Sequence, residues 1–222
     1  AVVSVLRHLG HTVEFPIDQT CCGQPMFNNG LEPQARALAR RLALAFAPFE
    51  AVVTPSGSCA AMLRHGYEEL FADEPAWLRR ARDLAGRTFE FSEFLVERLR
   101  GVELGANTLS ALAYHPSCHL LRVLGVDRQP DELLSAVSGP PVERLEPECC
   151  GFGGAFSVDH PEISKAMLDR KLDEIEAAGV EAVVGCDVSC LMHLEGGLRR
   201  RGSSVRCAHL SQVLSSREPG LQ

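Results

Sequence analysis

The 222 residues carry a formal charge of −7, with 45% hydrophobic and 23% charged side chains, which suits a globular protein with a substantial core. That charge excludes a general nucleic-acid binder, and the one basic run, Arg199–Arg201, is too short for a phosphate track and reads as a solvated helix end. No apolar run reaches bilayer length and no secretory signal is visible, so the nine cysteines read as metal or cluster ligands more readily than as a disulfide framework. An odd number, with two vicinal pairs, points the same way.

Residues 1–10 read as a helix ending at Gly10, and because the chain opens inside it we expect a first strand to lie outside this sequence. His11–Phe15 is expected as a short strand, and Pro16–Gly30 as a loop. Leu31–Ala47 is the clearest helix, with Pro33 in its first turn and Leu31, Ala35, Leu38, Leu42 and Phe46 at helical spacing. Ala51–Thr54 reads as a buried parallel strand, followed by a turn to Cys59 and a helix over Ala60–Leu70. Two amphipathic helices are expected over 75–100, with a domain boundary in Gly101–Asn107. Beyond it we expect a strand at Leu109–Tyr114, helices to Gly125 and near 131–137, and a strand near Val142–Leu145. The helix Pro161–Ala178, the strand Ala182–Val184, a helix opening at Cys190, the strand Val205–Ala208 and a helix from Leu210 complete the chain.

The two halves repeat each other. Cys21-Cys22-Gly23, helix, Ala51-Val52-Val53, Ser58-Cys59, helix matches Cys149-Cys150-Gly151, helix, Ala182-Val183-Val184, Ser189-Cys190, helix. The fold expected is therefore α/β, with two pseudo-repeated, Rossmann-like parallel-sheet units at residues 1–105 and 106–222, the first lacking its first strand. In such sheets ligands sit off the carboxyl ends of strands, and each cysteine of the repeat follows an expected strand.

Neighbouring side chains on a strand point to opposite faces, so a vicinal thiol pair meets one centre only where the backbone turns sharply. Gly151, Gly153 and Gly154 permit that turn after Cys149-Cys150, as Gly23 does after Cys21-Cys22. Cys118, Cys149, Cys150 and Cys190 then supply four thiolates, the number needed for a [4Fe–4S] cluster or a zinc site. Soft thiolates select iron–sulfur, zinc or copper(I) over magnesium or calcium. The plainer reading, small buried hydrophobes, does not account for four of them at strand ends. Cys21, Cys22 and Cys59 form a first set one ligand short. Cys186 is open between a fifth ligand and a packing residue, and Cys207 reads as core. His115 and His119 flank Cys118 and are open between ligation, hydrogen bonding to sulfur and proton transfer, with a capping or solvent role for His119 as well. His65 and His193 follow Cys59 and Cys190 on the same helices. Gly151-Phe152-Gly153-Gly154 lacks the spacing and acidic partner of a dinucleotide fingerprint.

These motifs resemble the cysteine-rich CCG-domain family, built from a Cys, a spacer, Cys-Cys-Gly, a second spacer, and a Cys-x-x-Cys or lone Cys. The resemblance is carried by Thr20–Pro25, Val53–Met62, His115–His119, Cys149–Ser157 and Asp187–His193. The same pattern occurs in the cysteine-rich subunit of heterodisulfide reductase and in the iron–sulfur subunits of glycolate oxidase and anaerobic glycerol-3-phosphate dehydrogenase. It is most similar in iron–sulfur proteins of the lactate-utilization protein A type. The resemblance implies a cytoplasmic iron–sulfur subunit relaying electrons during oxidation of L-lactate to pyruvate, working with other iron–sulfur subunits. The implied cofactor is [4Fe–4S], with zinc an alternative occupant of one site. Where heterodisulfide reductase has Cys-x-x-Cys, this chain has Ser56 and Asp187 in place of the first cysteine. That departure favours four-thiolate electron relay over a five-cysteine noncubane cluster and direct disulfide reduction. A zinc-stabilised structural subunit and a thiol–disulfide reductase are the alternatives.

Overall fold

The computed structural model describes residues 1–100 and 103–216. The N-terminal half runs α1 (Val2–His8), α2 (Gln24–Asn28), α3 (Glu32–Ala45), β1 (Val52–Thr54), α4 (Gly57–Ala61), α5 (Tyr67–Leu70), α6 (Pro75–Gly86), β2 (Thr88–Glu90) and α7 (Phe91–Glu93). A π-helical turn, Met62–Gly66, fuses α4 to α5, and another, Phe94–Arg98, prolongs α7. The C-terminal half runs β3 (Leu112–His115), a π-helical turn at His119–Val123, α8 (Arg128–Ser135), β4 (Glu143–Arg144), α9 (Phe156–Asp159), α10 (Pro161–Ala178), β5 (Ala182–Gly185), α11 (Val188–Arg200), β6 (Arg206–His209) and α12 (Leu210–Ser215).

Both sheets are parallel, as the alternation of strand and helix predicts. β1 pairs with β2, and four strands in the order β4-β3-β5-β6 form the larger sheet. β5 is buried along its whole length, the pattern of a parallel strand covered on both faces. Three expectations fail. The expected loop Pro16–Gly30 contains the short helix α2. His11–Phe15 forms no strand: it has no pairing partner among the described residues, and Phe15 and Ile17 stand in solvent. The region 75–100 contains β2 between its two helices, a three-residue strand too short to interrupt helical periodicity. β3 begins at Leu112 rather than Leu109, whose side chain is exposed. Of the expected boundary Gly101–Asn107, Gly101 and Val102 lie outside the described residues.

Strand parity divides the core. Leu112, Tyr114, Ala182, Val184 and Cys186 face one side of the large sheet, where they pack with α1, α8, α12 and with Phe91, Phe94 and Leu95 of the N-terminal half. Ala113 and Val183 face the other side, under Leu168, Leu172 and Ile175 of α10 and Leu194 and Leu198 of α11. A third cluster joins α3, the α4–α5 helix and α6 around Tyr67 and Phe71. The halves thus share a core. They also meet at an antiparallel bridge between Ser56 and Asp187, residues at equivalent places in the repeat, which puts a local pseudo-twofold axis there.

Candidate metal centre

The order β4-β3-β5-β6 sends the chain from β3 outward to β4 and from β5 outward to β6, so the sheet reverses its winding between β3 and β5. The crevice at such a switch point, beyond the strands' carboxyl ends, is the site that parallel sheets offer a ligand. Three loops end there, carrying Cys118 after β3, Cys149 and Cys150 after β4, and Cys190 in the first turn of α11. Cys118 Sγ lies 3.9 Å from Cys149 Sγ. Cys150 Sγ lies within 4.8 Å of Cys190 Sγ and follows Cys149 directly in the chain. The four thiols singled out in the second half therefore converge.

The Cys-Cys-Gly loop is held in place by α10. Gly151 adopts φ +89°, and a Cβ there would sit 2.5 Å from the Ser164 carbonyl oxygen. Ser164 Oγ donates to the Gly151 carbonyl at 2.8 Å. Lys171, buried at 1% exposure, donates to the Glu146 carbonyl at 2.7 Å and pairs with Glu174 at 2.5 Å. A buried ammonium needs such partners, and these fix the loop just ahead of Cys149. The turn also aims backbone N–H groups at sulfur. That of Gly151 lies 3.4 Å from Cys149 Sγ, and that of Phe152 contacts Cys150. The N-terminal half repeats the second device, with the Gln24 N–H on Cys22. Such donors, like the nests that bind anions, suit thiolate rather than thiol.

The thiols accordingly share protons unequally. S–H donation from Cys118, then from Cys150, holds Cys149 far below the ordinary thiol range, with the Gly151 N–H assisting. Cys118 and Cys150 are pushed up, chiefly because each donates to Cys149. In the first half Cys22 Sγ lies 3.5 Å from Cys59 Sγ. Cys59 is lowered to about 7 by the Cys22 S–H, and Cys22 is raised by the same contact. Cys21 is exposed at the rim of that pair. The structure thus brings Cys22 and Cys59 together in one half and Cys118, Cys149, Cys150 and Cys190 in the other.

The remaining candidates sort by parity and exposure. Cys186 is fully buried on the face opposite the thiol site, against Tyr114, and burial raises its pKa. It is a packing residue. Cys207 packs on the α10–α11 side, and burial pushes it up to about 12. His65 is exposed. His193 leans on the Phe152 ring, its Nε2 buried without a partner among the described residues. His119 Nδ1 lies 3.7 Å from Cys118 Sγ. His115 closes β3 on the Ala113 side, buried at 1%, and neither ring nitrogen has a hydrogen-bond partner among the described residues. Its ligand atom and those of Cys150 and Cys190 all lie within 4.8 Å of one another, the one such group of three donors found among the described residues. Burial, then the Lys171 charge, lowers its pKa to about 4. The signal for His115 lay in strand parity: counting from buried Ala113, the next residue on that face is His115.

A thiolate-ligated metal group fits what the chain provides here. The donors are soft, the glycine turn admits close approach, and the buried His115 nitrogens and Ser117 Oγ beside the sulfurs lack partners among the described residues. The arrangement is that of a metal site built from cysteine at the sheet's switch point.

Comparison with known proteins finds the cysteine-rich repeat in both halves of the chain. The model of the cysteine-rich domain, CCG, matches residues 1–64 and 112–195, one match in each half. Lactate utilization protein A of Halalkalibacterium halodurans is 43% identical over 218 residues, covering 97% of this chain and 89% of that protein. Lactate utilization protein A of Shouchella clausii is 44% identical, covering 97% and 91%. Lactate utilization protein A 2 of Bacillus mycoides is 42% identical, covering 98% and 91%.

Proposed function

The chain belongs to the cysteine-rich CCG-domain family, and from that premise we propose that it is an iron–sulfur subunit relaying electrons in the oxidation of L-lactate to pyruvate. The observation that carries the reading is the convergence of four thiols, Cys118, Cys149, Cys150 and Cys190, from three loops at the β3–β5 switch point. A [4Fe–4S] group held by these four thiolates would supply one-electron transfer. Cys21, Cys22 and Cys59 are the proposed ligands of the first site. The chain's own part is to hold the sulfurs, aim backbone N–H groups at them and bury them, which together set a potential. Cys186 faces away from the thiols, which supports relay over disulfide reduction by a five-cysteine group. The names of the relatives support lactate as the substrate of the assembly, and further iron–sulfur subunits are the proposed partners. No helix among the described residues is long and apolar enough to cross a membrane.

A second reading, a zinc-stabilised structural subunit, is favoured by the sulfur spacing. Four sulfurs about 2.3 Å from zinc in a tetrahedron stand roughly 3.8 Å apart, close to the 3.9 Å between Cys118 and Cys149. Electron paramagnetic resonance of the full chain, purified without oxygen and chemically reduced, separates the two. Brown protein with a reducible iron–sulfur signal supports the relay; colourless, silent protein with stoichiometric zinc supports the structural subunit. A strain lacking the gene should lose growth on lactate, and a Cys150→Ser copy should not restore it.

A further inference from the structure

His115 is buried at 1% exposure, three residues ahead of Cys118, and neither ring nitrogen has a partner among the described residues. A buried polar group in that condition calls for an unseen partner. Its neighbours on that side are thiols, since its ligand atom lies within 4.8 Å of both Cys150 and Cys190 Sγ. The nearby Lys171 is already engaged with the Glu146 carbonyl and Glu174. We infer that the His115 imidazole donates its N–H to the thiolate sulfur of Cys150 or Cys190, as a positioning residue of the second site rather than a ligand. This rests on the reading of that site as a thiolate-ligated centre.

Two arguments favour donation over ligation. Four cysteines on three loops already fill a four-ligand set, so a ligating imidazole would displace one of them. A histidine bound to metal through one nitrogen needs a partner for the N–H on the other, and among the described residues none stands there. Donation uses the N–H and leaves only the acceptor nitrogen unpaired, the less costly orphan. Reduction adds negative charge to the centre, so an N–H directed at its sulfur stabilises the reduced state and raises the potential.

The test is a redox titration followed by electron paramagnetic resonance on the full chain, purified without oxygen, with iron and sulfide measured on each sample. His115→Phe keeps the ring volume without a donor, whereas His115→Asn and His115→Gln carry an amide N–H to the places of Nδ1 and Nε2. We expect His115→Phe to retain wild-type iron and sulfide but titrate at a more negative potential, and one of the two amide variants to return toward wild type. An unshifted potential in His115→Phe overturns the inference. So does loss of iron in all three variants together with a strongly coupled nitrogen in the wild-type hyperfine spectrum, which would make His115 a ligand. Zinc without sulfide in the wild type would instead overturn the iron–sulfur reading. The hydrogen bond is then read on cobalt-substituted protein: its sulfur-to-metal charge-transfer band should move to lower energy in His115→Phe, and an unmoved band overturns the inference.

Discussion

Gly151 holds φ +89° and leaves no room for a side chain, with the Ser164 carbonyl 2.5 Å from where a Cβ would stand and Met167 Cβ at 3.0 Å. Gly151→Ala should therefore cost about 2 kcal/mol or more, because both backbone strain and backbone contact oppose it. It should also lower metal content, since the same turn orients Cys149 and Cys150; chemical denaturation and metal analysis on one preparation check both. Cys186 gives the opposite expectation. It packs against Tyr114 on the far face of the sheet, so Cys186→Ala should cost about 1–2 kcal/mol and leave metal content unchanged. Metal loss in that variant would return Cys186 to the ligand set. Which face Cys186 takes was readable from parity with Ala182 and Val184, but only once β5 was known to end at Gly185 and keep its alternation through the next residue.

Two elements close their strands in the same way. β2 ends at Glu90 and β6 at His209, and each caps the following helix through a capping box, Glu90 with Glu93 and His209 with Gln212. The price at Glu90 is a fully buried carboxyl whose Oε1 has no partner among the described residues, with Cys186 and Tyr114 close by. Burial raises its pKa from 4.5 to about 7. A carboxyl raised on folding contributes stability that is whole below about 4.5 and is lost as pH rises through about 7. Glu90→Gln, which keeps the capping oxygen, should remove that loss and be more stable than wild type by about 3 kcal/mol at pH 8, with little difference at pH 4. Equal stability at both pH values would show that Glu90 is not the titrating group. β2 was hidden in the sequence because Thr88–Glu90 sits between two amphipathic helices and is stabilised by pairing with β1. His11–Phe15 had the opposite fault, an alternating pattern with no strand beside it to pair with. Long elements with strong local signals were legible: α10 falls on Pro161–Ala178, set by Pro161 at its start and Gly179, at φ +64°, at its end.

Across the whole molecule the repeat is closed by the Ser56–Asp187 bridge. Asp187, buried at 3%, accepts the Ser58 N–H at 3.0 Å and the Ser56 hydroxyl at 3.2 Å, and also caps α11 through the Ser189 N–H. Gly57 lies against Leu120, where a Cβ would stand 2.9 Å from the leucine Cβ, so the start of α4 packs on the turn following Cys118. The two thiol sets are thus anchored to one joint. Asp187→Ala should lower stability by about 2 kcal/mol or more through the lost cap and the unpaired donors. Because Phe91, Phe94 and Leu95 share a core with the C-terminal sheet, unfolding should remain a single transition; two separate transitions would mean the halves fold independently. The repeat, the thiol sets and the parallel sheets were legible because they recur at matched spacing. The contact between halves was not, because Ser56 and Asp187 meet only through the fold.

The converged thiols are proposed to hold an iron–sulfur group. The direct measurement is iron, zinc and acid-labile sulfide per chain, on wild type and Cys150→Ser purified without oxygen. Iron and sulfide are expected in equal amounts in the wild type, near one four-iron group per filled site, with the share of the second site lost in Cys150→Ser. Zinc with no sulfide, or an unchanged iron and sulfide content in Cys150→Ser, would contradict it.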